Sequence, residues 1–379
     1  MRNDAAPTAV DHDALELLRA LVEIESPSGD AAGVGRIGAV LRERLEGAGA
    51  SVEAHASPLG EHLVAEVPGR NAAPLLLIGH LDTVWPVGTL AGDVPWRVEG
   101  DVVRGPGAYD MKSGLVIMVR ALERIAHTRS RQPARPVRLV LVCDEELGSP
   151  HSADLVRECA AGARAALGFE SPHPDGALKV GRRGSARVAI EVGGRAAHAA
   201  LDPEAGVSAI DELVDQLLRV REIVADPALV SHVLCNVGTI SGGGRANVIP
   251  DAARAELGLR FIDAETERAV LDSLARLTPR REGATLDVAR VSGRPTWRAS
   301  DGDRMLTDKI ARVAAALGQH VEGRPAAGGG DTNLTGALGI PTVDGLGPRG
   351  GGAHAVHEHA LLSSLGERID LVTRLLTTL

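Results

Sequence analysis

Aromatic side chains are almost missing from this sequence: three Trp, one Tyr and two Phe make up 2% of its 379 residues. Stacking platforms for bases or sugar rings are therefore scarce, and the core has to be built from Val, Leu, Ile and Ala. Cysteine is equally sparse. Cys143, Cys159 and Cys235 are odd in number and lie in apolar or helix-like stretches, which argues against a disulfide framework and for a reducing compartment. Positive charge is in deficit, with 41 Lys and Arg against 50 Asp and Glu and a net charge of −9, whereas a protein that holds nucleic acid by neutralising phosphates is basic. No uninterrupted apolar run approaches the roughly 18 residues of a membrane span. The opening stretch MRNDAAPTAVDHDALELL has no apolar signal-type core. A cytoplasmic protein with no nucleic-acid or membrane partner is the expectation.

What is present is globular in style. Hydrophobic residues are 44% and charged residues 24% of the chain, and its length calls for two domains. Residues 11–24, 34–45, 113–125 and 152–159 have helical spacing of apolar positions, as in Leu15, Leu18 and Val22. Between them, short apolar runs at 63–67, 75–78, 137–143 and 165–169 read as strands. Strands alternating with helices predict a parallel sheet with crossover helices. The style changes near residue 183. Strands at 185–192, 229–240, 252–261 and 285–291 combine with a helix at 202–224, N-capped by Asp202 with Pro203 in its first turn, and another at 264–277. That is a small α+β unit with helices on one face of an antiparallel sheet. From about residue 303 the first style returns: a helix to 317, a glycine loop at 328–330, a strand at 341–346, a second glycine loop at 347–352, and a final helix from Glu358. The expected fold class is α/β, with a mostly parallel central sheet flanked by helices. The catalytic domain takes residues 1–182 and 296–379, and a smaller insert takes 183–295.

Polar groups follow three of the strands. His80 and Asp82 come after 75–79, Asp144, Glu145 and Glu146 after 137–143, and Glu170 after 165–169, while Asp110 sits in a glycine-bracketed loop before a helix. Taken singly, each is as readily a polar turn or a helix start. Jointly they matter, because the carboxyl ends of strands in an open α/β sheet form its ligand crevice. Carboxylates pooled there repel one another unless a cation balances them, and with imidazoles present zinc suits the mixed N/O set. Asp82 shares a face of an extended segment with His80 and is placed to hydrogen-bond the far imidazole nitrogen. Glu145 and Glu146 can both face the crevice only from a loop beyond the strand end, because neighbouring strand residues point to opposite faces.

Nine stretches fall in a telling order: GHLDTV (79–84), GPGAYDMKSG (105–114), LVCDEELGS (141–149), GFE (168–170), GRAAHA (194–199), GRANVIP (244–250), GRPTW (293–297), and GGGDTN with GGGAH (328–333, 350–354). Together they resemble the di-zinc exopeptidase and deacylase family that includes glutamate carboxypeptidase, acetylornithine deacetylase, succinyl-diaminopimelate desuccinylase and aminoacylase. The glutamate carboxypeptidases are the most similar branch. The resemblance implies that Asp110 bridges two zinc ions, with cobalt or manganese as substitutes. His80 and Glu170 would complete one site, and Glu146 and His354 the other. It further implies Glu145 as general base, a cis peptide after Asp110, and His198 reaching a partner subunit's site to stabilise the oxyanion. Arg294 would hold the substrate carboxylate. Asn247, Arg260 and the backbone of residues 328–330, Gly330 included, would be substrate contacts.

The implied function is a metal-dependent hydrolase of small peptides or N-acyl amino acids, cleaving an amide bond beside a free carboxylate, and a homodimer formed through the insert. An N-acyl-amino-acid deacylase is the alternative, and an inactive dimeric ligand-binding scaffold a remote one that the full complement of site residues disfavours. One departure concerns glutamate itself: where these carboxypeptidases can carry a lysine, this chain has Ala177, with Lys179 nearby but out of register. His357 and His359, flanking Glu358, read as supporting or solvated side chains.

Overall fold

A computed structural model describes residues 11–128 and 132–379; the expectation for the extreme N-terminus falls on residues 1–10, outside the described residues. The chain divides into two compact units. The first takes the chain to Gly181, then Ala299–Ala326 and Gly330–Leu379, and the second takes Arg182–Arg298 with Ala327–Gly329. The expected insert, 183–295, is thus extended at both ends. The reason is local pairing: Arg182 and Trp297 exchange two main-chain hydrogen bonds of 2.8 and 3.1 Å, and Arg182 Nη1 donates to the Gly328 carbonyl at 3.4 Å.

The first unit is built on six strands in the spatial order Ser51–Ser57, Gly60–Val67, Val137–Val142, Leu75–His80, Ala165–Gly168 and Thr342–Val343. The last four are parallel to one another, while Gly60–Val67 joins antiparallel to both its neighbours. Alternation along the strands sorts side chains to two faces. Leu75, Leu77, Leu139, Leu141 and Leu167 pack with helices His12–Glu23, Ala31–Gly47, Ser113–Ala126, Asp301–Ala315 and Leu362–Thr378. Leu76, Ile78, Val140, Val142 and Ala166 pack with Ala153–Ala160 and Thr332–Ala337. A small second sheet pairs Gly350–Gly351 with His359–Leu361, and His359–Leu361 with Val102–Arg104. The final helix therefore begins at Leu362, not at the expected Glu358, because residues 359–361 are held as a strand.

The second unit is a four-stranded antiparallel sheet in the order Leu234–Gly242, Ala252–Phe261, Gly184–Gly193 and Thr285–Arg294. Val188, Ile190, Leu257, Leu259 and Phe261 pack against Leu213 and Val220 of Ala209–Val224, and Val270 and Leu274 of Ala264–Ala275. The helix expected from Asp202 starts later. Asp202 precedes a single 3₁₀ turn, Pro203–Ala205, and Ser208 caps the true start by accepting the Asp211 N–H.

Helix Ser113–Ala126 packs tightly against the segment that leaves strand Ala165–Gly168. A Cβ built on Gly114, in the first turn of Ser113–Ala126, would lie 2.3 Å from the Phe169 carbonyl oxygen and 2.7 Å from Met111 Cε. Only glycine lets the helix that follows Asp110 pack against the residue before Glu170. Gly114→Ala is expected to destabilise the first unit by about 1–3 kcal/mol through overpacking, read as a lowered midpoint in urea denaturation.

Candidate active site

The parallel strands deliver the polar groups side by side. Pairing of Gly79 with Leu141 and of Ile78 with Gly168 places His80, the turn after Val142 and Glu170 at one edge of the sheet. Glu145 and Glu146 lie on a 3₁₀ turn, Glu145–Leu147, beyond the strand end, so neighbouring residues escape the strand's alternation. Asp110 sits in a tight turn entered through Gly107 at φ 70°, where a Cβ would come 2.6 Å from Thr83 Cγ2; the Asp110–Met111 peptide is cis. His354 belongs to the loop joining Gly350–Gly351 to His359–Leu361.

Asp110 stands between two matched groups. His80 Nε2 is 3.4 Å from Asp110 Oδ1 and 3.4 Å from Glu170 Oε1, while His354 Nε2 is 3.3 Å from Asp110 Oδ2 and 3.3 Å from Glu146 Oε2. Ligand-capable atoms of His80, Asp110 and Glu146 lie within 4.8 Å of one another, as do those of His80, Glu145 and Glu170. These spacings are long for N–H···O hydrogen bonds. They match the separation of about 3.3–3.5 Å between two ligands on a tetrahedron with bonds of roughly 2.0–2.1 Å. His80 Nε2 and Glu146 Oε1 are buried without a hydrogen-bond partner among the described residues. The residues present thus fit a pair of divalent cations sharing Asp110.

Electrostatics point the same way. Burial pushes the His80 imidazole down, yet the carboxylates of Asp110, Asp82 and Glu170 raise it well above its usual value. His354, facing Asp110 and Glu146, is raised to about 10. Against its burial, Asp110 is held below the ordinary carboxylate range by the two imidazoles. Glu170 is pushed up by burial and by the Asp110 charge. The cluster holds more negative charge than its imidazoles can balance.

Asp82 meets His80 through both its main chain and its side chain. His80 Nδ1 is 2.8 Å from the main-chain carbonyl of Asp82 and 3.5 Å from its carboxylate, so Nδ1–H is held by Asp82 and Nε2 is the nitrogen turned toward Asp110 and Glu170, the one a bound cation would use. The carboxylate also accepts Ser28 Oγ–H at 2.6 Å and the N–H groups of Glu145 and Glu146 at 3.3 Å each. It grips the turn that carries both glutamates. Ser28 and the fully buried Glu358 were not singled out from the sequence: Ser28 precedes a helix like any polar loop residue, and Glu358 looks like a helix start.

In the second unit, His198 Nδ1 accepts the N–H groups of Ala200 and Leu201 at 3.2 and 3.1 Å, which assigns the proton of the neutral ring to the exposed Nε2. Asn247 lies beside it, its carbonyl accepting Ala199 N–H at 3.0 Å. Arg260 and the buried Arg294 are both paired opposite Ser185, at the other end of the sheet from Gly193, which pairs with Ala252. Eight residues of strand separate these ends, about 26 Å, so the sheet does not bring the two pairs together. The expected contact through Gly330 N–H is also corrected: Gly330 is buried and donates to Asn333 Oδ1 at 3.0 Å. Asp82→Asn, which turns an amide N–H toward the N–H groups it should receive, is expected to lower kcat by roughly 10–100-fold in steady-state hydrolysis.

Comparison with known proteins identifies the lineage. The chain is 32% identical over 373 residues to carboxypeptidase G2 of Pseudomonas sp. (strain RS-16), covering 96% of this chain and 89% of that protein. It is 30% identical over 374 residues to succinyl-diaminopimelate desuccinylase of Caulobacter vibrioides, covering 93% and 92%. In structure it is similar to the M20 family metallo-carboxypeptidase Sso-CP2 of Sulfolobus solfataricus, with a TM-score of 0.73 at 17% identity over 96% and 98% of the two chains. The profile of peptidase family M20/M25/M40 matches residues 76–378, and the chain belongs to that family.

Proposed function

We propose that this protein is a zinc-dependent exopeptidase of glutamate carboxypeptidase type, hydrolysing the amide bond between an acyl group and an amino acid whose carboxylate is free. The observation that carries the reading is Asp110, each of whose oxygens faces an imidazole that also meets a glutamate. His80, Asp110 and Glu170 would hold one cation and Asp110, Glu146 and His354 the other. Two cations so held supply Lewis acidity, polarising the scissile carbonyl and lowering the pKa of water. Glu145, on the turn steadied by Asp82, takes the proton of the attacking water at a carboxylate oxygen and returns it to the leaving amine nitrogen. The protonated Nε2 of His198 donates to the carbonyl oxygen as negative charge grows there, and the Arg294 guanidinium receives the substrate carboxylate in bidentate fashion. Asn247 and Arg260 are the remaining side-chain contacts of this reading.

A second reading, an N-acyl-amino-acid deacylase, draws on the likeness to the Caulobacter desuccinylase and on Ala177. That position is a buried methyl group, which offers no cation to a glutamate side chain. A substrate panel separates the two: N-acylglutamates turned over in preference to N-acetylornithine and N-succinyl-diaminopimelate support the first reading, and the reverse order supports the second.

A homodimer is part of the proposal. The separation of His198 from Arg294 along one sheet supports His198 serving a partner subunit's site. The exposed apolar stripe of Ile210, Val214 and Leu218, with Leu234 and Ile240 on the edge strand, supports a second copy as the covering surface. A cytoplasmic location belongs to the same reading; no helix among the described residues is long and apolar enough to cross a membrane.

Chelation is expected to abolish hydrolysis, and added zinc to restore it. Glu145→Gln should retain both metals by atomic absorption while losing roughly 10²–10⁴-fold in kcat; undiminished turnover would remove Glu145 as the base. Light scattering should give about twice the 39.3 kDa chain mass. Mixing inactive Glu145→Gln and His198→Ala chains should restore activity, because one site in each mixed dimer then has both residues intact; mixtures that stay inactive would contradict the exchange of His198.

A further inference from the structure

Glu358 has none of its surface exposed, although it ends a loop in which His354, Val356 and His357 are all exposed. Both its oxygens are engaged. Oε1 accepts the main-chain N–H groups of Tyr109 at 2.9 Å and Asp110 at 3.0 Å. Oε2 accepts Gly107 N–H at 3.1 Å and the indole N–H of Trp85 at 2.6 Å. Each oxygen takes two donors, a set that only the ionised carboxylate satisfies in full, since a protonated one would turn its O–H against an N–H.

The donors are not scattered. Gly107, Tyr109 and Asp110 make up the turn that presents the Asp110 side chain, and Trp85 lies on the segment that leaves His80 and Asp82. Glu358 itself follows His354 through a turn closed by its own N–H to the Ala355 carbonyl at 2.8 Å. One buried carboxylate thus joins the three loops that bring in His80, Asp110 and His354, reaching across 273 residues of sequence to Trp85. Loops at strand ends are otherwise the least constrained parts of such a fold.

We propose that Glu358 is a positioning residue that fixes the Asp110 turn relative to His354 and His80 and so sets the affinity of the site for its metals. This rests on the metal reading above. Removing the charge leaves Asp110 present but free to tilt, and a carboxylate shared between two cations tolerates little displacement before one of them is under-coordinated. A purely structural Glu358 would act differently: its loss would lower the melting temperature of the metal-free chain and leave the affinity of the folded protein unchanged.

The test is zinc affinity of the full chain by competition with a chromophoric chelator, alongside melting of the metal-free protein and kcat and KM at saturating zinc. Glu358→Gln is expected to weaken zinc binding by roughly 10–100-fold and to lower kcat with KM held within about twofold. Trp85→Phe removes one of the four donors and keeps the carboxylate, with an expected weakening of about two- to tenfold; it carries the test if Glu358→Gln does not fold. A folded Glu358→Gln, or in its place a folded Trp85→Phe, that binds zinc as tightly as the wild type overturns the proposal alone. A wild-type chain that takes up no zinc overturns the metal reading, and this one with it.

Discussion

Four carboxylates, those of Asp110, Glu145, Glu146 and Glu170, crowd with two imidazoles at the ends of three parallel strands, and their mutual repulsion is the constraint under which the rest of the site is built. Asp110 and Glu146, and likewise Glu145 and Glu170, bring carboxylate oxygens within 4.8 Å of each other, where at an effective dielectric of about 20 each of these like-charge pairs costs roughly 3 kcal/mol. Two imidazolium ions cannot balance four such groups: burial and the Asp110 charge push Glu170 up, and the surrounding carboxylates draw both histidines up. A site like this needs counter-charge from outside the chain, and it needs a scaffold rigid enough to hold the groups in readiness for it. The scaffold is a second set of polar residues. The Asp82 carboxylate takes two main-chain N–H groups of the glutamate turn, and Glu358 takes three of the aspartate turn. Both act on backbone, where a hydrogen bond fixes a loop without competing for the side chains the site uses.

The sequence shows only part of that second set. His80, Glu145, Glu146 and Glu170 were visible because each follows an apolar run that reads as a buried strand, and a polar group directly past such a run has few places to go but the strand-end crevice. Glu358 carries no such marker. It sits between two histidines ahead of an apolar stretch, a pattern equally suited to an exposed helix start, and only the pairing of His359–Leu361 with Val102–Arg104 draws it inside. Asp82 is legible as a partner of His80, but the second contact through its main-chain carbonyl is not, because residue spacing places side chains on a face and says nothing of which carbonyl turns toward an imidazole. The outer strand Ser51–Ser57 escaped notice for a related reason: an edge strand exposed along much of its length shows little of the apolar signal by which strands are recognised.

The second unit illustrates a different limit. Its antiparallel sheet and two helices follow from alternation and helical spacing, and the late start of Ala209–Val224 reflects a choice of cap, Ser208 over Asp202, that short-range rules leave open. Its functional residues, however, divide between the ends of a sheet about 26 Å long, with Arg260 and Arg294 at one and His198 and Asn247 at the other. Motif order along the chain places all four near chemistry; strand register shows that one copy of the unit offers them in two separate places.

The shared carboxylate is most directly examined by anomalous diffraction from crystals grown with zinc, recorded on either side of the zinc absorption edge. Two peaks per chain are expected, one bounded by His80, Asp110 and Glu170 and the other by Asp110, Glu146 and His354. A single peak, or a pair with Asp110 touching only one of them, would contradict a centre built around that residue.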